Sequence, residues 1–161
     1  MSKRSRLVHY EGHMRVAVGV DHRGFLIKED LVALLKEGGH DVVDLGTSST
    51  ESVDYPDVSK AVGEAVRNGD ADRGVIVCGS GAGAVIAANK LKGIRCALAH
   101  DTYTAHQSVE HDDANVLALG SGIVGIEVIR EVVKAFLGAQ FLGAERYQRR
   151  LDKIQKLERD G

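Results

Sequence analysis

Gly74-Val75-Ile76-Val77-Cys78-Gly79-Ser80-Gly81-Ala82-Gly83 is the stretch that decides the architecture. Its first half is a short β-branched run and its second a glycine cluster, the pattern of a strand turning sharply into a helix. Similar β-branched runs occupy residues 15–20, 41–45, 95–99 and 116–119, with helical periodicity between them. In the first interval Phe25, Leu26, Leu31, Leu34 and Leu35 follow that period, and the Gly38-Gly39 pair stops it. Further helices are expected from near Pro56 to Gly69, from the glycine cluster to near Leu91, and over residues 102–112 and 125–136. The segment 145–158 is highly charged, and its sparse apolar stripe, Tyr147, Leu151, Ile154 and Leu157, suits a helix laid across a neighbour. Five strands alternating with helices predict parallel pairing. The expected fold is therefore α/β, a single-domain three-layer α/β/α arrangement around a five-stranded parallel, Rossmann-like sheet.

The chain has 161 residues, of which 43% are apolar and 27% charged, a balance that fits one globular domain and excludes disorder. Patterned sequence begins at Met14. Residues 1–13, with a basic start and no periodicity, read as an extension outside a domain spanning 14–161. A net charge of -2 argues against bulk electrostatic binding to nucleic acid, despite a local basic patch at Arg146, Arg149, Arg150 and Lys153. Only two cysteines are present, Cys78 and Cys96, in different strand-like runs. Free thiols in a reducing compartment, the cytoplasm, are the expectation. No apolar run approaches the roughly 20 residues of a membrane span.

In an open parallel sheet, ligands bind beyond the carboxyl ends of the strands. The residues there are Asp21 and His22, Cys78 to Gly83, and His100 and Asp101, with Asp54 and Tyr55 in the loop after the second strand. The glycines of the central cluster let backbone N–H groups approach an oxyanion or phosphate, or else they serve only a tight turn. Cys78 ends its strand beside a helix N-terminus, a setting that favours a thiolate able to accept a proton. The alternative for it is a small buried hydrophobe, which is the reading for mid-strand Cys96. Gly79, Gly81, Ala84 and the later Asp101 imitate a dinucleotide fingerprint, but on the third strand and without a substrate domain to follow. His106, His111 and Asp112 invite a zinc site, yet a five-residue spacing sends the two histidines to diverging faces of a helix. Neither a metal nor a cofactor is expected. Asp21-His22 and His111-Asp112 each couple a carboxylate to an imidazole, as a proton shuttle requires. Arg146 and Arg150, four residues apart on one helical face, are placed either to clasp a phosphate or to form a solvated surface.

Four motifs in register carry a resemblance over about residues 14–154. They are Val18-Gly19-Val20-Asp21-His22-Arg23-Gly24, Ser52-Val53-Asp54-Tyr55-Pro56-Asp57, Cys78-Gly79-Ser80-Gly81-Ala82-Gly83 leading into Ile86-Ala87-Ala88-Asn89-Lys90, and His111-Asp112-Asp113-Ala114-Asn115. The chain resembles the type B ribose-5-phosphate isomerases and the related galactose-6-phosphate isomerase subunits. That resemblance implies an aldose-ketose isomerase with no cofactor, working as a homodimer or dimer of dimers with shared active sites and with the terminal helix packed on the partner. It further implies Cys78 as the proton-transferring base and His111 as the ring-opening acid. Asp21, His22, Tyr55, Ser80, Asp112 and the stretch Gly79, Gly81, Ala82 and Gly83 would hold the sugar and the enediolate, with Ser80 counted among the catalytic groups. Arg146 and Arg150 would hold the phosphate. A second branch of the family places a glutamate base where this chain has Ala84, so the cysteine keeps the role.

Two departures bear on the substrate. Gly122 stands where many members carry a phosphate-binding arginine, and Asp112 stands where an asparagine commonly follows the histidine. Ribose 5-phosphate is the expected sugar. The alternatives are galactose 6-phosphate, allose 6-phosphate or a tetrose phosphate, an isomerase that needs a paralogous subunit, or a module that binds a nucleotide or sugar phosphate without turnover.

Overall fold

The structure, a computed structural model, describes residues 12–161; residues 1–11 of the expected extension lie outside it. The β-branched runs form β1 (Arg15–Val20), β2 (Asp41–Asp44), β3 (Arg73–Cys78), β4 (Cys96–Leu98) and β5 (Val116–Gly120). All pairs are parallel, in the order β2-β1-β3-β5-β4. Between them run α1 (Lys28–Glu37), α2 (Tyr55–Asn68), α3 (Ala82–Ala88), α4 (Thr102–Asp112) and α5 (Ile126–Gly138), and α6 (Glu145–Asp160) closes the chain.

The two-residue period of the strands sorts their side chains into two cores. Val16, Val18, Val20, Val75, Val77, Leu117 and Leu119 meet α1, α4 and α5 through Leu31, Leu35, Val109, Ile129 and Phe136. Ala17, Ile76, Cys78 and Ala118 meet α2 and α3 through Val58, Val62, Ala84 and Ala88. The second layer is the closer one. A Cβ built on Gly19 would lie 2.6 Å from Val62 and one on Gly74 2.5 Å from it, so α2 rests directly on the sheet.

Two long-range contacts end elements where local sequence does not. Helix α3 stops at Ala88 rather than near Leu91, because the Asn89 side chain exchanges hydrogen bonds with the Cys96 backbone at 2.7 and 2.9 Å. Arg73, buried at the start of β3, donates to the carbonyls of Phe136, Leu137 and Ala139 at the end of α5, where no intrahelical donors remain. Helix α6 buries Tyr147 and Leu151 on its own chain and leaves Ile154 and Leu157 exposed. No described helix is long and apolar enough to cross a membrane.

β1 connects to β2 on one side while β3 lies on the other. The carboxyl ends of β1 and β3 therefore flank the crevice where the strand order reverses.

Candidate active site

Cys78 is the last residue of β3 and is buried, its side chain turned toward α2 and α3. Its Sγ accepts a hydrogen bond from the Gly81 N–H at 3.1 Å. Gly81 itself adopts φ +80°, a left-handed conformation that glycine takes without steric cost, and so turns the chain from the cysteine into α3. Ser80 is exposed at the crest of the turn, where its Oγ accepts from the Ala82 N–H at 3.3 Å. The Tyr55 ring covers Gly83 so closely that a Cβ there would lie 2.5 Å from it.

On the β1 side, the buried Asp21 carboxylate accepts from the N–H groups of Arg23 and Gly24 at 2.9 and 3.0 Å. It thereby shapes the loop leading into α1. His22 Nδ1 accepts from the Val53 N–H at 3.2 Å, which places the proton of a neutral ring on Nε2. On the β5 side the strand end is sewn to the glycine turn: Ser121 N–H donates to Cys78 O and Gly122 N–H to Gly79 O, both at 2.9 Å.

His100 Nε2 accepts from the Gly120 N–H at 2.8 Å. Asp101 is the N-cap of α4, and its hydrogen bond from Thr104 N–H holds the carboxyl below its usual range. That local task accounts for the acid that imitated a dinucleotide fingerprint. Burial, reinforced by the nearby Cys78, pushes the Cys96 thiol up to about 12. It is therefore a neutral core group.

His111 and Asp112 lie elsewhere. Helix α4 starts at the carboxyl end of β4 and runs antiparallel to the strands, ending against Arg95, which precedes β4 and binds Asp113 at 2.8 and 3.0 Å. There the His111 ring stacks on Tyr147, centroids 4.2 Å apart, and the Arg146 guanidinium lies 4.4 Å from that ring and bonds its hydroxyl. Arg150 is one turn further along α6 and exposed. His106 faces Glu110, not His111. One chain thus carries two separate groups, Asp21, His22, Tyr55 and Cys78 to Gly83 at the carboxyl ends of the strands, and His111, Asp112, Arg146 and Arg150 toward their amino ends. Between them lies the length of β5, about 13 Å. Among the described residues no three metal-ligating side chains come together.

Several residues at these sites were not singled out by sequence. Tyr147 was legible only as part of an apolar stripe, and Ser121, whose hydroxyl bonds the Arg23 and Cys78 carbonyls, only as part of a turn. Arg23 was visible within a motif but without a role.

A sequence profile described as Ribose/Galactose Isomerase matches residues 16–154. Ribose-5-phosphate isomerase B of Escherichia coli strain K12 is 45% identical over 144 residues, covering 89% of this chain and 96% of its own. D-erythrulose-4-phosphate isomerase 2 of Mycolicibacterium smegmatis is 40% identical over 131 residues, 80% of this chain and 86% of that one. Among solved structures, a mutant of type B ribose 5-phosphate isomerase from Trypanosoma cruzi superposes with a TM-score of 0.89 at 45% identity. The match covers 92% of this chain and 98% of the other.

Proposed function

The chain belongs to the ribose/galactose isomerase family and is a sugar-phosphate isomerase, and from that premise we propose that it interconverts ribose 5-phosphate and ribulose 5-phosphate with Cys78 as the base. The observation that carries this reading is the Cys78 sulfur, buried at the strand end and facing the Gly81 amide at 3.1 Å. That amide is directed at the atom that bears negative charge once the thiol has lost its proton.

The reaction begins with ring opening, in which a histidine protonates the ring oxygen of the furanose as the anomeric hydroxyl gives up its proton. The Cys78 thiolate then takes the C2 proton, and the electron pair moves to the C1 carbonyl to form an enediolate. Ser80 and the amides of the glycine turn donate to its oxygens. The Cys78 thiol, whose proton exchanges in part with solvent, then delivers a proton to C1 while O2 loses its proton and O1 gains one, which yields the ketose. His111 is the ring-opening acid, and Arg146 and Arg150 hold the phosphate. Since these residues stand about one strand length from Cys78 in the same chain, the working site is shared: the partner subunit's His111 and arginines meet this chain's cysteine. A homodimer or dimer of dimers follows. The two free thiols support placing the enzyme in the reducing cytoplasm.

The test is a panel of four-, five- and six-carbon aldose and ketose phosphates followed by proton NMR in deuterated water, where exchange at C2 of the aldose, or at C1 of the ketose, reports the chemistry. Exchange fastest with ribose 5-phosphate supports the assignment. Gly122 and Asp112 favour a second reading, an isomerase of a shorter or longer sugar phosphate, and fastest exchange with a tetrose or hexose phosphate would replace ribose by that sugar.

A further inference from the structure

Arg23 is held through its own backbone by residues of the candidate site. Its N–H donates to Asp21 Oδ1 at 2.9 Å, and its carbonyl accepts from the Ser121 hydroxyl at 3.1 Å. From that anchored position the side chain crosses two glycines. A Cβ built on Gly79 would lie 2.2 to 2.7 Å from the guanidinium group, and one on Gly122 would lie 3.1 Å from it and 2.8 Å from the Gly79 carbonyl oxygen. Neither glycine has a left-handed φ, so what each contributes here is room. The residue is exposed, and among the described residues no carboxylate pairs with its guanidinium.

A cation lying over the glycine turn with its donors unspent is arranged for an anion that arrives from solvent. In a sugar phosphate the permanent anion is the phosphoryl group, with about -1.5 to -2 charges near neutrality. A planar guanidinium matches it with parallel donors. The residues following one another at the end of β3 also separate the two functions: Cys78 packs toward α2 and α3, whereas the place of a side chain at Gly79 is taken by the Arg23 guanidinium.

We propose that Arg23 binds the substrate phosphoryl group, supplying within the same chain as Cys78 a cation that the turn at Gly122 does not. The proposal rests on the sugar-phosphate reading above. Arg23 closes one end of the site and leaves the carbon chain of the sugar to extend toward the cysteine.

The test compares the wild-type enzyme with Arg23→Ala and Arg23→Lys. Arg67→Ala serves as the charge control, since Arg67 sits on α2 beside Glu64 at 3.7 Å and away from the site. Arg23→Ala should raise KM about ten- to a hundredfold while leaving kcat within about twofold. The inhibition constant of inorganic phosphate should rise in parallel, and Arg23→Lys should recover part of both losses. Unchanged KM and phosphate inhibition in Arg23→Ala overturn the proposal. So does a fall in kcat at constant KM, which would assign Arg23 to the enediolate. If the wild-type enzyme turns over no sugar phosphate of the panel, the isomerase reading fails on its own. Phosphorus NMR titration with inorganic phosphate then still decides Arg23, because equal affinity of wild type and Arg23→Ala overturns it.

Discussion

Replacing Gly120 by alanine places a methyl group 2.6 Å from both the Cα and the carbonyl carbon of Ser80, and 2.7 Å from the Gly79 carbonyl oxygen. All three are backbone atoms of the glycine turn, so no side-chain rotation relieves the overlap. Restoring ordinary contact at 3.4 Å requires the turn and the end of β5 to part by about 0.8 Å. A misplacement of about 1 Å in a catalytic group costs on the order of a hundredfold in rate. Overpacking of this kind costs about 1–3 kcal/mol of stability. Gly120→Ala should therefore lower kcat for the best sugar-phosphate substrate about a hundredfold, read as C2 exchange in deuterated water, and should lower the urea midpoint to match. Gly69→Ala is the comparison. Gly69 has φ +83° at the end of α2 with no other atom within 4 Å of a built Cβ, so alanine there costs about 1–2 kcal/mol through backbone strain and leaves kcat alone. Wild-type kcat in Gly120→Ala would refute the claim that the contact of β5 with the turn positions Ser80 and Cys78.

Cys78→Ala should abolish C2 exchange, a loss of at least about a thousandfold, while sugar-phosphate binding survives; Cys96→Ala should retain activity, since burial keeps that thiol neutral at working pH. Measurable exchange in Cys78→Ala would remove the cysteine from the role of base. Arg73→Ala leaves the carbonyls of Phe136, Leu137 and Ala139 without their donor and should cost about 3 kcal/mol in urea denaturation. An unchanged midpoint would show that water replaces the guanidinium at no cost. His40 accepts from the Met14 N–H at 3.1 Å, and burial, followed by the proximity of His13, lowers its pKa below the ordinary 6.5. The unfolded chain thus takes up a proton at higher pH than the folded one. Stability should fall as pH drops from 6.5 toward the lowered value and then level off. In His40→Gln that slope should shrink, as pH-dependent thermal melts would report.

The five strands and most helices were legible in sequence because their causes are local: β-branched runs, a 3.6-residue apolar period, Pro56 and Gly69 at helix ends. Where an element ends through a distant partner, local sequence misleads, as at Asn89, whose amide belongs to the Cys96 backbone. The site divides in the same way. Cys78, Asp21, His22 and the glycine turn announce themselves because they stand at strand ends, and the topology of a parallel sheet sends every strand end to one edge. Nothing in their spacing reveals that His111 and Arg146 stand toward the opposite end of the strands. That follows from the antiparallel run of α4 and from the Tyr147 ring, which contacts both.

By itself the sequence determined that this chain forms a doubly covered parallel sheet with a cysteine-bearing glycine turn at the carboxyl end of a strand, since composition and periodicity act within a few residues. Tertiary structure alone decided that Arg23 fills the space left by Gly79 and Gly122, and that Gly120 props up Ser80. Those contacts join loops after β1, β3 and β5, and a side chain that is missing from one loop acquires meaning only from the atom of another that occupies its place.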